Sequence, residues 1–359
     1  MTPNVRTAAR LFILASVILL PAFRGGSGIA VQAAGSSALA PPAVCARGTD
    51  ETRKLSNRWG NRQYTVHLPP SYSRRVPYPV VIDIHGGSGN RESARLSTCP
   101  DRDPDSPGCL DRLADCEGFI VVYPDGTQEP GLLKGMRSFN AGGGANGYVC
   151  IAGNACAADV DDVRFFGDLI DALKRQYRID PNRVHVTGLS NGAAMSHRLA
   201  CELSDRVASI AAVGGGNQYA TTRECTPGRS VPVLQIHGTA DRCFPYDGGY
   251  ERCTALQPYG FRVSVADTVA GWAERNGCRS TPVVEDWADA DPDDGTTVTQ
   301  MRYPDCSGGG DVTLLRVNGG GHTWPGGSDN LPDWIVGKVS REFSANQVMW
   351  EFFKAHPLR

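Results

Sequence analysis

Apolar positions recur along this chain with two different periods. Residues 63–70 alternate apolar and polar and stop at Pro69-Pro70, which predicts a strand. Residues 78–85 form a Val/Ile run ending in Gly86-Gly87, and residues 119–123 form another ending at Pro124-Asp125-Gly126. Short unbroken runs of this kind suit strands buried on both faces. Over 161–179 the period lengthens. Val163, Phe166, Ile170, Leu173 and Tyr177 share one helical stripe, with Asp161 or Asp162 placed as the N-cap. Further strands are predicted over 183–188, 207–213, 232–237 and 312–317, and helices over 191–203, 265–276 and 344–355. Strands alternating with helices imply an α/β fold, a mainly parallel sheet with helices on both faces. Such sheets bind ligands at the carboxyl ends of their strands.

Charge and composition narrow the function classes. The 359 residues carry 36 basic and 38 acidic side chains, a net charge of −2, so no basic field attracts nucleic acid or an anionic membrane. With 41% hydrophobic residues the chain can fill a large core. Arg6 and Arg10 precede an apolar stretch at 11–23, and small residues follow around Val31-Gln32-Ala33. That pattern predicts a signal peptide over 1–33, because an apolar run of about 13 residues is too short to span a bilayer. Pro42-Ala43-Val44 before Cys45 makes a poor lipobox. We expect an extended leader over 34–50, one domain over 51–359, and a secreted, extracellular or periplasmic, protein with no membrane contact after cleavage.

Twelve cysteines, an even number behind an export signal, read as a disulfide framework. Local candidate pairs are Cys150–Cys156 and Cys243–Cys253, with Cys201–Cys225 and Cys278–Cys306 closing longer loops. Metal binding is not expected. There is no C-x-x-C pair, and the histidines lack zinc-ligand spacing. Asp289, Asp291, Asp293 and Asp294 miss the glycine and bidentate-acid positions of a calcium loop. No dinucleotide or P-loop pattern occurs in context, so no cofactor is expected.

The chemistry sits at strand ends. The strand at 183–188 runs into Gly188-Leu189-Ser190-Asn191-Gly192 and then directly into a helix. This G-x-S-x-G turn thrusts a serine hydroxyl above the sheet, beside a helix N-terminus that favours developing negative charge. A serine needs a base, and the base an orienting carboxylate. His197 lies two helical turns beyond Ser190 and His356 is in the terminal tail, whereas His322 follows a strand in a Gly-rich loop. His322 is therefore the candidate base. Asp241 ends the segment after the strand at 232–237 and is favoured as the acid over Asp247 and Asp267. His237, just before it, reads as a packed strand-end residue. The oxyanion donors are expected at the amides of Asn191 and Gly87, the latter in His85-Gly86-Gly87-Ser88-Gly89.

Gly188-Leu189-Ser190-Asn191-Gly192-Ala193-Ala194-Met195, His237-Gly238-Thr239-Ala240-Asp241 and Gly321-His322-Thr323-Trp324-Pro325-Gly326-Gly327 resemble the secreted polyhydroxybutyrate depolymerase and feruloyl esterase family of α/β-hydrolases. Val160-Asp161-Asp162-Val163 is similar as well, and the resemblance covers about residues 61–355. It implies the triad Ser190, Asp241 and His322 and a carboxylic-ester substrate. Trp324, Phe139 and Asn140 are the candidate substrate-binding residues. Phe139-Asn140 stands where many relatives have Trp-Asn, a departure at the expected acyl-pocket wall. The leading reading is a feruloyl or acetyl xylan esterase acting through an acyl-enzyme. Its partner would be a plant cell-wall polysaccharide ester. Hydroxybutyrate oligomers are the alternative substrate, and a non-catalytic secreted binding protein on the same fold is the rival of another class.

Overall fold

The computed structural model describes residues 45–130, 135–142, 155–251, 260–328 and 332–358. The expected signal peptide, most of the expected leader, Cys150 and Cys253 lie outside the described residues. The chain enters on β1 (Thr49–Asn57), which pairs antiparallel with β2 (Gly60–Leu68). β3 (Tyr78–Ile84) leads through α1 (Arg91–Ser97) and α2 (Leu110–Glu117) to β4 (Ile120–Pro124). Two short strands, β5 (Thr127–Gln128) and β6 (Arg137–Ser138), pair with each other before α3 (Asp162–Gln176). β7 (Ile179–Leu189), α4 (Asn191–Glu202), β8 (Ile210–Val213) and β9 (Val233–Gly238) follow. A small hairpin of β10 (Gly249–Glu251) and β11 (Gly260–Arg262) precedes α5 (Val265–Arg275). The chain then adds β12 (Val283–Asp286), β13 (Thr297–Tyr303), β14 (Val312–Asn318), α6 (Asp333–Val336) and α7 (Ala345–Ala355).

Ten strands form one sheet in the order β1-β2-β4-β3-β7-β8-β9-β14-β13-β12. The block β4-β3-β7-β8-β9-β14 is parallel, and an antiparallel pair extends each side of it. All seven residues of β3 are buried, as its unbroken apolar run requires. Its side chains alternate between two cores. Val80, Ile82 and Ile84 join α3, α4 and α5 residues such as Phe166, Leu199 and Trp272, while Val81 faces Leu110, Ala114, Met349 and Phe353 from α2 and α7. Both faces are thus covered. Among the described residues no helix is long and apolar enough to cross a membrane.

Two boundaries differ from expectation. Thr49 and Asp50 already belong to β1, and Cys45 is bonded to Cys116, so the folded domain begins before residue 51. The helix expected over 161–179 stops at Gln176, because Tyr177 is extended and Ile179 opens β7. Asp161 is its N-cap, accepting from the Arg164 amide. Cys201–Cys225 and Cys278–Cys306 form as expected, joined by Cys45–Cys116 and Cys99–Cys109, which are not among the candidate pairs above. Cys156 and Cys243 are also disulfide-bonded.

Candidate active site

The turn between β7 and α4 holds Ser190 at φ 62° and ψ −115°, a conformation that costs a non-glycine residue roughly 1–3 kcal/mol. The flanking glycines make the turn possible. A Cβ on Gly188 or on Gly192 would strike the carbonyl oxygen of Ile84 at the end of β3. The Ser190 amide donates to Val213 O, which ties the turn to the end of β8. Asn191 is fully buried and brackets one peptide: its Oδ1 accepts from the Phe139 amide at 2.8 Å and its Nδ2 donates to the Phe139 carbonyl at 3.0 Å.

Asp241 and His322 arrive from two other strand ends. His322 Nδ1 lies 2.7 Å from Asp241 Oδ2, while Asp241 Oδ1 accepts from the amides of Cys243 at 2.8 Å and Phe244 at 2.7 Å. Burial alone would raise the Asp241 carboxyl, but the facing His322 and the neighbouring His237 hold it well below the usual carboxylate range. The carboxylate is therefore ionised and fixes His322 as the tautomer protonated on Nδ1, leaving Nε2 free as a base. The His322 loop is held from behind, its amide donating to Val336 O and that of Gly321 to Lys338 O. Gly214, just past β8, connects the two halves of the site. It follows Val213, which accepts from Ser190, and a Cβ placed on it would lie 3.2 Å from His322 Nδ1 and 3.5 Å from Asp241 Oδ2. Ser190, Asp241 and His322 thus lie on loops after β7, β9 and β14 at the carboxyl edge of the sheet, gathered around Gly214. The Ser190 hydroxyl makes no hydrogen bond to another described residue.

The Gly86-Gly87 turn lies against this serine: a Cβ on Gly86 would be 3.4 Å from Ser190 Cβ. His85 braces it. Gly126 N–H donates to His85 Nε2 at 2.9 Å, so Nδ1 carries the proton and donates to Gly86 O at 2.7 Å. Burial pushes His85 down to about 4, which keeps that ring neutral. Gly87 follows in the chain, and Ser88 takes a positive φ of 67°.

Three expected substrate contacts are corrected. Trp324 is 1% exposed and packs into the core under α7, where its Nε1 donates to Asn346 Oδ1. His322, two positions earlier, stays partly exposed, whereas the indole is drawn inward by its hydrogen bond to Asn346 and its packing with α7. Phe139 is fully buried against His85 and Phe166, and it serves the serine turn through its peptide rather than its ring. The Asn140 amide donates to Asp162 Oδ2 and its side chain to Asp159 Oδ1 and Val160 O, a brace for the start of α3. His197, set aside as too distant, is buried between Gln235 and Trp272. His237 reads as packed, yet its Nε2 also comes within 3.3 Å of Asp241 Oδ2. Gln235 was not singled out; the available signal was a polar residue inside an apolar strand, two positions before His237. Asp267 lies in the first turn of α5, whose N-cap Ser264 accepts from the Asp267 amide and donates to its Oδ2. The 289–294 acidic run is a turn in which Asp294 accepts from the Thr296 and Arg341 amides.

Residues 158–268 match a family model described as phospholipase/carboxylesterase. Feruloyl esterase B of Piromyces equi is 30% identical over 73% of this chain, although the chain spans only 42% of that protein's length. A putative esterase, NocK, of Nocardia uniformis subsp. tsuyamanensis is 27% identical over 86% of this chain and 83% of its own. Among solved structures, an acetyl xylan esterase from Aspergillus awamori superposes with a TM-score of 0.54 at 16% identity, covering 85% of this chain and 99% of that one. Fold, family match and relatives together give this chain the α/β-hydrolase fold and a sequence similar to feruloyl esterases and to a putative esterase.

Proposed function

We propose that this chain is an exported serine carboxylic-ester hydrolase whose substrates are feruloyl or acetyl esters carried on xylan. One observation carries the reading: the Asp241–His322 hydrogen bond at 2.7 Å stands beside a serine held at φ 62° on a strand-to-helix turn. Ser190 Oγ attacks the ester carbonyl carbon while His322 Nε2 takes its proton. The amides of Asn191 and Gly87 receive the oxyanion. The intermediate collapses, the C–O bond breaks, and His322 returns the proton to the departing sugar oxygen. Water, activated by the same imidazole, then releases the acid from the acyl-enzyme. Asp241 stays ionised and offsets the imidazolium charge in both halves.

The choice of ester rests on the relatives' names and on the motifs. Export is supported by the apolar stretch at 11–23 and by the disulfides, which persist in oxidising compartments. Rates on methyl ferulate, acetylated xylan and hydroxybutyrate oligomers, measured side by side, test the substrate class. Feruloyl or acetyl release should lead, and faster cleavage of hydroxybutyrate oligomers would overturn the assignment. Ser190→Ala should lower kcat by roughly 10^4-fold or more, in line with loss of a triad nucleophile. Unchanged turnover in that variant would remove the serine mechanism.

A further inference from the structure

β9 turns Leu234 and Ile236 into the core beneath α7. The opposite face of the same strand carries Gln235 and His237, both at most 1% exposed, where apolar side chains would otherwise be expected. They join a line of hydrogen bonds that starts on α5 and ends at the triad acid. Trp272 Nε1 lies 2.9 Å from His197 Nδ1, His197 Nε2 lies 2.9 Å from Gln235 Oε1, and Gln235 Nε2 lies 3.2 Å from His237 Nδ1. His237 Nε2 then meets Phe244 O at 2.7 Å and Asp241 Oδ2 at 3.3 Å.

Each proton on this line is assigned by its neighbour. An indole N–H can only donate, so His197 Nδ1 accepts and its Nε2 carries the hydrogen. That hydrogen makes the facing Gln235 atom the carbonyl oxygen. The Gln235 amide nitrogen must then donate, and it reaches both Gly215 O at 3.0 Å and His237 Nδ1. His237 is left with its hydrogen on Nε2, facing two acceptors. Burial pushes His197 down to about 4, so the line stays neutral at its middle. The last step acts on Asp241 twice. The Nε2 hydrogen faces Oδ2 directly, and it anchors the Phe244 peptide whose amide holds Oδ1.

We propose that His237 is a positioning residue for the hydrolytic reaction, and that Trp272, His197 and Gln235 serve to hold it as the Nε2-protonated tautomer aimed at Asp241. The inference rests on the triad reading above. The reverse tautomer would set a bare nitrogen lone pair against a carbonyl and a carboxylate, and the acid would lose one of its two histidine neighbours. Among the described residues, His237 and His322 are the titratable side chains in contact with Asp241.

The test uses the whole chain. In 15N-histidine spectra of the wild type, His197 and His237 should both carry their hydrogen on Nε2; an Nδ1–H form of His237 would overturn the inference. His237→Phe should lower kcat on methyl ferulate or an activated aryl ester roughly tenfold per titrated Ser190, with KM little changed. With one donor removed, the Asp241 carboxylate keeps more charge and binds the His322 proton more tightly. The acid limb of kcat/KM should therefore move to higher pH. His237→Gln, which keeps an N–H near the Nε2 position, should recover most of the rate and the original limb. Should the phenylalanine variant not fold, Gln235→Leu reads the same kcat loss through the neighbouring link. Wild-type kcat and an unshifted limb in the folded variants would reduce His237 to core packing. A wild type without esterase activity would instead refute the functional reading, leaving the tautomer measurement standing by itself.

Discussion

At the scale of single residues, the site is a strained turn held by groups that never meet the substrate. Ser190 at φ 62° would relax if its neighbours allowed, and Asn191 is one that does not. Its fully buried side chain satisfies both the N–H and the C=O of Phe139, so truncation strands two buried backbone groups together. Each such group costs about 1–3 kcal/mol when left without a partner. Asn191→Ala should therefore lose roughly 2–4 kcal/mol in urea unfolding. Its kcat should also fall while KM holds, because the backbone amide of the same residue is the proposed oxyanion donor. A variant of wild-type stability would show that the Phe139 peptide finds other partners. The strand-end positions of the three candidate residues are legible because their signals are local: a motif at a strand-to-helix junction, and an acid and a base after later strands. The side-chain direction of Trp324 is not, since a place two residues after His322 says nothing about which way a loop residue faces. Its indole meets Asn346, 22 positions away, a contact that no local pattern announces.

At the scale of elements, the parallel centre of the sheet was readable and its edges were not. Buried strands such as β3 and β4 announce themselves as apolar runs. β1 is an edge strand with most of its residues exposed, so its Thr-Asp-Glu-Thr-Arg-Lys sequence carries no alternation, and its start reads as leader. What holds that edge is charge. His67 on β2 is flanked by Asp50 Oδ1 at 2.7 Å and Asp115 Oδ1 at 2.9 Å, with Arg95 bridging Asp50 and Asp111. Burial opposes the charged imidazole, but these carboxylates prevail and lift His67 to about 8. The folded value lies above the unfolded one, near 6.5. The contribution is therefore complete below about pH 6.5 and is lost as the pH rises through about 8, amounting to roughly 2 kcal/mol. Urea midpoints taken at pH 6 and pH 9 should fall across that window in the wild type. In His67→Gln the fall should be largely gone, and an identical slope in both proteins would place the pH dependence elsewhere.

At the scale of the whole molecule, covalent links join parts of the chain that the core alone would leave loosely tied. Cys201–Cys225 and Cys278–Cys306 close loops of 24 and 28 residues, spacings short enough to suggest themselves from the sequence. Cys45–Cys116 spans 71 residues and depends on β1 and β2 folding back over α2, a long-range arrangement that spacing cannot reveal. It fastens the start of the domain at the point where Arg112 donates to Cys45 O and Asp115 accepts from the Gly48 amide. Closing a loop of that length lowers the entropy of the unfolded chain by an amount worth about 4 kcal/mol, less whatever residual structure the unfolded state retains. The pair Cys45→Ser/Cys116→Ser should therefore be destabilised by roughly 2–4 kcal/mol in denaturant. Its kcat at 25 °C should stay within about twofold of wild type, since Cys116 precedes β4 at the amino end of the parallel strands while Ser190 follows the carboxyl end of β7, and the loss of the link acts mainly on the unfolded chain. Pairing should matter most at β1, so hydrogen exchange in residues 49–57 is expected to accelerate before that of β3 or β7. Uniform acceleration across the sheet would mean that the edge and centre unfold as one unit.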